Sequence, residues 1–233
     1  MSFDVRGAWT RQSVSVGDGP AFETQLVVWL QAETCYADLR VPLNPAYEES
    51  AGERCFSGFS GWDGDLYRWT HRLDLETGSP AADDAGRLVR EGDAIVERGM
   101  FPTFDGALPY QEVWVPIPGA DRPHVGLESP NGSFLRIGDH AITIADQRGS
   151  GGTFSAAYYR KAGDQRWTVV ASIGDVTDLA GPEQLADTPL GTPLGTPLGT
   201  LLGSDTLPSG WGSSNRAEPA RFLHRDETFR SLL

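Results

Sequence analysis

Apolar and polar residues alternate with a period of two along most of the first three-quarters of the chain. The stretch LVVWLQAETCYADLRVP, Leu26–Pro42, carries the pattern most fully. Its first arm, Leu26–Ala32, is apolar and rich in β-formers. Its second arm, Cys35–Val41, puts Tyr36, Asp38 and Arg40 on one face and Ala37, Leu39 and Val41 on the other. Successive side chains of a strand point to opposite faces, so each set belongs to one side of a sheet. Glu33-Thr34 is the turn of the predicted hairpin.

Two later segments repeat the alternation. In Leu66–Leu75, Tyr67, Trp69, His71, Leu73 and Leu75 share one face, and Arg68, Thr70, Arg72 and Asp74 the other. In Tyr110–Ile117, Tyr110, Glu112 and Trp114 oppose Gln111, Val113 and Val115, with Pro116 and Pro118 marking an edge or an end. Asp63-Gly64 and Asn131-Gly132 are hairpin turn signals. Short strands spaced by about 8–12 residues between turns predict an antiparallel all-β sandwich or barrel with few or no helices. A barrel is favoured because closure removes exposed edges. Helical periodicity is confined to Asp178–Leu185 and the tail Ala217–Leu233.

The Pro/Gly-rich segment Met100–Pro109 predicts the join between two related halves: an N-terminal barrel half, 1–102, and a C-terminal barrel half, 103–233. The second half carries a low-complexity loop, 182–215. Within it Thr188–Gly203 reads as four tandem tetrapeptides, TPLG three times and then TLLG. Proline removes backbone donors and glycine costs entropy, so no regular element suits that stretch.

Charge narrows the partners. The net charge of −13 argues against binding phosphate backbones or anionic membranes, so neither nucleic acid nor membrane is expected. No apolar run reaches the ~18 residues of a membrane span. The start has no basic segment followed by an apolar one, so a standard secretion signal is not expected. Cys35 and Cys55 are the only cysteines and lie outside CxxC spacing, which suggests reduced thiols in the cytoplasm. His71, His124, His140 and His224 form no HxH or HxxxH pair, so no metal site is expected. Gly149–Gly152 lacks the GxxxxGK[ST] pattern, and no cofactor is expected. The oligomeric state is open.

Three faces carry candidate chemistry. Tyr36, Asp38 and Arg40 would bind a polar group, the arginine as a fork and the aspartate orienting it, or would form a salt-bridged strand face. Tyr67, Trp69 and His71 join two aromatic walls to the side chain that titrates near neutrality. Glu112, between Tyr110 and Trp114, must be paired, protonated or facing a cavity. His71, Glu112 and Asp38 are therefore the candidates for proton transfer. Tyr36, Arg40, Tyr67, Trp69, Tyr110 and Trp114 are the candidate ligand contacts, with Tyr158, which shares a face with Arg160 and would close a pocket.

Gly7-x-Trp9 in the first strand resembles the lipocalin signature. In that family the tryptophan closes one barrel end and stacks on an arginine of the last strand, a role that Arg221 or Arg225 would fill here. The runs WLQAETCYADLRVP, GDLYRWTHRLDL and PYQEVWVP resemble a poorly characterised group of lipocalin-like bacterial proteins, similar in pattern to a fungal cytosolic protein of two lipocalin-like barrels. The resemblance covers residues 5 to 175 and implies a barrel with no agreed activity. The function expected is intracellular binding of a small apolar or aromatic molecule with one polar group in a barrel cavity. One alternative is an enzyme using that cavity for acid/base chemistry, of isomerase, hydratase or cyclase type. The other is an interaction module with a filled core.

Overall fold

The computed structural model describes residues 2–44, 52–76, 84–104, 106–120, 124–163, 165–177 and 179–183. The first eight strands are β1 (Gly7–Val16), β2 (Gln25–Gln31), β3 (Cys35–Pro42), β4 (Arg54–Asp63), β5 (Leu66–Asp74), β6 (Asp84–Glu91), β7 (Ala94–Thr103) and β8 (Gly106–Pro116). Each pairs antiparallel with the next, and β8 returns to β1, which closes a barrel. Five more strands, β9 (His124–Ser129), β10 (Gly132–Ile137), β11 (His140–Asp146), β12 (Phe154–Lys161) and β13 (Trp167–Ile173), form an antiparallel meander in which each strand pairs with the next. The protein is all-β, and its one helical element among the described residues is the 3-10 turn Arg148–Ser150.

The main core lies between the barrel wall and the meander. Leu26, Val28 and Leu30 of β2 and Ala37, Leu39 and Val41 of β3 point out of the barrel. They meet Leu135 and Ile137 of β10, Ile142 and Ile144 of β11, and Phe154 and Ala156 of β12. Complete burial of one such aliphatic side chain is worth about 1.5–3 kcal/mol, so this contact is a large share of the stability. It also explains the unbroken apolar run of the first hairpin arm, because β2 is buried on both faces along its whole length. Two arginines close the rim of the contact. Arg72 donates to the carbonyls of Ser129 and Gly132 at 2.6 and 2.9 Å, and Arg148 to those of Asp74 and Leu75 at 2.6 and 2.7 Å. The far face of the meander carries Val125, Leu127, Phe134 and Tyr159, which pack with Leu179 and Ala180.

The predicted join at residues 102/103 is instead the tip of the β7–β8 hairpin. Met100 pairs with Pro109 and Thr103 with Gly106, inside the barrel sheet. Pro102 and Pro109 sit in the paired strands and Gly106 at the reversal, and the chain leaves the barrel only after Pro116. Beyond it stands an open five-stranded sheet where a second barrel half was predicted. Residues 179–183 are not helical. The rest of the two helical predictions, the tetrapeptide repeats, Arg221 and Arg225 lie outside the described residues. No helix among the described residues is long and apolar enough to cross a membrane.

Trp9 is buried inside the barrel, 6.3 Å from Trp29 between ring centroids, in one cluster with Val5 and Tyr67. Its indole N–H donates to the Val5 carbonyl at 2.9 Å. The guanidinium over its ring is that of Arg90, 6.0 Å from the centroid, on β6. Gly7 has φ +149°, and a Cβ there would lie 3.3 Å from the indole nitrogen, so the Gly-x-Trp spacing is set by the ring's close approach to the backbone. Trp9→Ala should lower the unfolding free energy by ~3–5 kcal/mol in urea denaturation, the range for a buried large aromatic. An unchanged midpoint would mean that Trp9 is not part of the core.

Candidate binding site inside the barrel

The inner faces of the strands carry an unusual mixture of aromatic and charged side chains. They surround a cavity of about 20 Å³. Trp29, Trp69 and Trp114 form one wall, with edge-on contacts of 5.8 Å (Trp29–Trp69) and 5.4 Å (Trp29–Trp114). Tyr36 and Phe56 form another, and Asp38, Arg40, Asp84 and Glu97 supply the charge. That volume suits a water-sized or slightly larger polar group.

Both inner arginines are already engaged. Arg11 of β1 reaches Glu23 through Nε at 2.7 Å, Gln25 at 3.1 Å and Glu112 at 2.5 Å. Arg40 holds Asp38 with two nitrogens, at 2.8 and 3.3 Å, and its Nη1 lies 3.7 Å from Glu112. Its guanidinium stands 5.2 Å over the Phe56 ring. Burial works against the charge of Arg40, but Asp38 and Glu112 outweigh it and hold the guanidinium protonated. Burial also raises the carboxyl of Asp38, in opposition to Arg40.

Glu97 and Asp84 have no such partner. Among the described residues no guanidinium or ammonium lies within ion-pair distance of either. The carboxylate of Glu97 accepts from the Tyr110 hydroxyl at 2.6 Å and from the Trp114 indole N–H at 3.0 Å. Those donors favour the ionised form, but burial and the neighbouring Glu112 and Asp84 dominate and push Glu97 up to about 8. Burial likewise raises Asp84. Two strand glycines make room for this group. A Cβ at Gly86 would come within 2.9 Å of Glu97, and one at Gly99 within 2.6 Å of the Tyr110 hydroxyl.

A bulge shapes the other side of the site. Ser57 pairs with Leu73 and the next residue, Gly58, with His71, so Arg72 is the extra residue of β5. Plain alternation would send Leu73 inward and Asp74 outward. The bulge reverses both: Leu73 joins the core against the meander, and Asp74 turns to His71, whose Nδ1 lies 2.7 Å from Oδ2. Gly58 permits this, since a Cβ there would lie 2.9 Å from the Arg72 nitrogen and closer still to the Thr70 carbonyl. The His71 ring stacks on Phe56 with centroids 4.4 Å apart. Neither His71 Nε2 nor the Tyr36 hydroxyl, both buried, has a hydrogen-bond partner among the described residues.

The candidates from the sequence thus divide. Tyr36, Asp38, Arg40, Trp69 and Trp114 meet at the cavity. Glu112 reaches it through the arginines and Tyr110 through Glu97, while His71, stacked on Phe56, is not among its lining residues. Tyr67 packs against Trp62 and Trp69 and bonds Ser60 at 3.1 Å, away from the cavity. Tyr158 is not in the barrel at all. It faces the barrel's outer wall from β12, where its hydroxyl meets His140 Nδ1 at 2.8 Å while Nε2 donates to the Pro118 carbonyl. That ties the crossing segment to the meander, a structural role. Burial lowers His140, in keeping with a neutral ring. Trp29, Phe56, Asp84, Glu97 and Arg11 are site residues that the sequence reading missed.

The chain matches the family model described as Protein HRI1 over residues 8–192. It belongs to the HRI1 family. A solved structure with this fold is that of the uncharacterized protein YLR301w from Saccharomyces cerevisiae, with a TM-score of 0.58 at 13% identity, covering 72% of this chain and 86% of that one. At that identity the likeness is one of fold. Among curated proteins none matches. In this HRI1-family chain the matched span takes in all the charged and aromatic residues of the cavity.

The raised Glu97 makes stability depend on pH. The folded protein holds this proton more tightly than the unfolded chain, where the group titrates near 4.5. The stabilising contribution is therefore complete below about 4.5 and is lost as pH rises through about 8. Urea denaturation should show unfolding free energy falling between about pH 4.5 and pH 8, with Glu97→Gln flattening the fall. A slope identical in the variant would assign the pH dependence to other groups.

Proposed function

We propose that the barrel of this HRI1-family protein binds a small molecule inside, in the manner of a lipocalin, with a polar end of the ligand in the cavity beside Tyr36, Asp38 and Arg40. The observation that carries the reading is the Tyr36 hydroxyl. Its residue is 1% exposed and lines a cavity bounded by charged groups, yet the hydroxyl has no partner among the described residues. An unsatisfied buried hydroxyl costs about 1–3 kcal/mol, and a ligand that hydrogen-bonds it would recover that cost. The aromatic walls would supply apolar contact. A cavity of about 20 Å³ takes only the polar end, so an apolar or aromatic part of the ligand must displace a wall side chain, as Phe56 or Trp69 would allow by rotation. Both cysteines are free and buried, which fits the cytoplasmic setting proposed here.

A second reading rests on His71. Asp74 at Nδ1 fixes the tautomer that leaves Nε2 an acceptor, as a proton-transfer base requires. Asp38 and Glu112 are less suited to that role, since arginines hold both. Binding is favoured because Tyr36 lines the cavity and His71 is not among its lining residues.

Tyr36→Phe tests the binding reading, because it removes only the hydroxyl. Native mass spectrometry of protein purified from its host should show a retained small molecule that the variant lacks. The ligand-free variant should unfold at a free energy about 1–2 kcal/mol higher than the parent. A variant destabilised by a similar amount would show that the hydroxyl serves the fold, and the reading would be wrong.

A further inference from the structure

The barrel interior holds more acidic groups than basic ones, and that excess selects the ligand. Arg11 is shared by Glu23 and Glu112, and Arg40 is held by Asp38. Three carboxylates thus already answer two guanidiniums, and Glu97 and Asp84 stand beyond that count. Both line the cavity. An anion placed there would face two buried acids with no cation to balance them, while the donors that could receive it are engaged elsewhere. A neutral molecule would leave both acids without a counter-charge. A cation would supply one, and Glu97 would release its proton to solvent and pair with it.

The walls point the same way. Cations are attracted to the faces of aromatic rings, tryptophan most of all. Trp29, Trp69 and Trp114 border the cavity, and the Tyr36 hydroxyl oxygen is a buried acceptor without a partner among the described residues. A bare metal ion fits poorly: among the described residues no group of three His, Cys, Asp or Glu side chains is placed to hold one. An organic cation with N–H groups matches carboxylates, hydroxyl and rings together.

We infer that the polar end of the ligand is a small nitrogen cation, an ammonium or amidinium group, held by Glu97 and Asp84 between the tryptophans with the Tyr36 hydroxyl as a further acceptor. This rests on the binding reading above and adds the sign of the ligand's charge. The natural ligand is then an amine or amidine, its cation seated in the barrel. Arg40 serves to hold Asp38 and the site's shape.

Formamidinium, formamide and formate are planar probes of equal heavy-atom count that differ in charge. Each is titrated into the full-length ¹⁵N-labelled protein at constant ionic strength. The indole N–H resonance of Trp114, assigned with Trp114→Phe, is the readout because that N–H bonds Glu97. Formamidinium should shift it with half-saturation in the millimolar range expected of so small a ligand, and formamide and formate should not. Glu97→Gln and Asp84→Asn, each checked for fold by circular dichroism, should weaken formamidinium at least tenfold. Formate binding best would overturn the cation assignment and leave a binding cavity standing. Equal shifts by formamide and formamidinium, or variants that bind formamidinium as the parent does, would also overturn it. If no probe moved the indole resonances, the cavity reading would fall as well. The probe series uses the unaltered protein, so the sign is decided even if a variant fails to fold.

Discussion

Everything in this barrel is arranged around carboxylates kept out of water. Removing a carboxylate from water costs several kcal/mol even after relaxation, and ion pairing recovers the cost only with good geometry. Here the inner layer holds Asp38, Asp84, Glu97 and Glu112 against Arg11 and Arg40. Such a layer is a poor source of stability. Strength must come from elsewhere, and it comes from the outer wall, where β2 and β3 press an aliphatic surface onto β10, β11 and β12. The meander supplies the core that a charged barrel interior lacks. Trp9, Trp29 and their neighbours add an aromatic cluster around that interior.

One hairpin ties the two parts together. On β3, Tyr36, Asp38 and Arg40 look into the cavity while Ala37, Leu39 and Val41 look into the sheet contact. A one-residue slip would exchange the two sets, putting charge into the aliphatic core. The register of this hairpin is thus fixed from both sides. The bulge in β5 uses the same exchange locally, sending Leu73 out to the core and bringing Asp74 to His71.

The alternating strands were legible because period two is a strong signal over eight or more residues. Tyr36, Asp38 and Arg40, Trp69, and Trp114 each fall on a candidate strand face for that reason, and the fold brings those three faces to one cavity. Tyr158 was misplaced because alternation identifies two faces but not which one meets a cavity; both faces of the meander are buried. Glu97 escaped notice because its strand, AIVERGMFPT, alternates weakly and ends in the Pro/Gly segment. Its signal was present in Gly86 and Gly99, strand glycines whose missing side chains admit Glu97 and Tyr110. Asp74 falls on the face opposite His71 in the sequence because a bulge leaves no trace in simple alternation. The boundary at Met100–Pro109 failed since proline and glycine mark a hairpin tip as readily as a linker.

The central claim is that the inner charges are kept for recognition and not for stability. A double-mutant cycle on the Asp38–Arg40 pair tests it most directly, by denaturation at neutral pH. Arg40→Met alone should cost about 3–5 kcal/mol, because it leaves Asp38 buried and unpaired. Asp38→Leu with Arg40→Met should restore the parent's stability or exceed it by about 1–4 kcal/mol. A double variant as unstable as the single one would contradict the account, since the pair would then be a support of the fold itself.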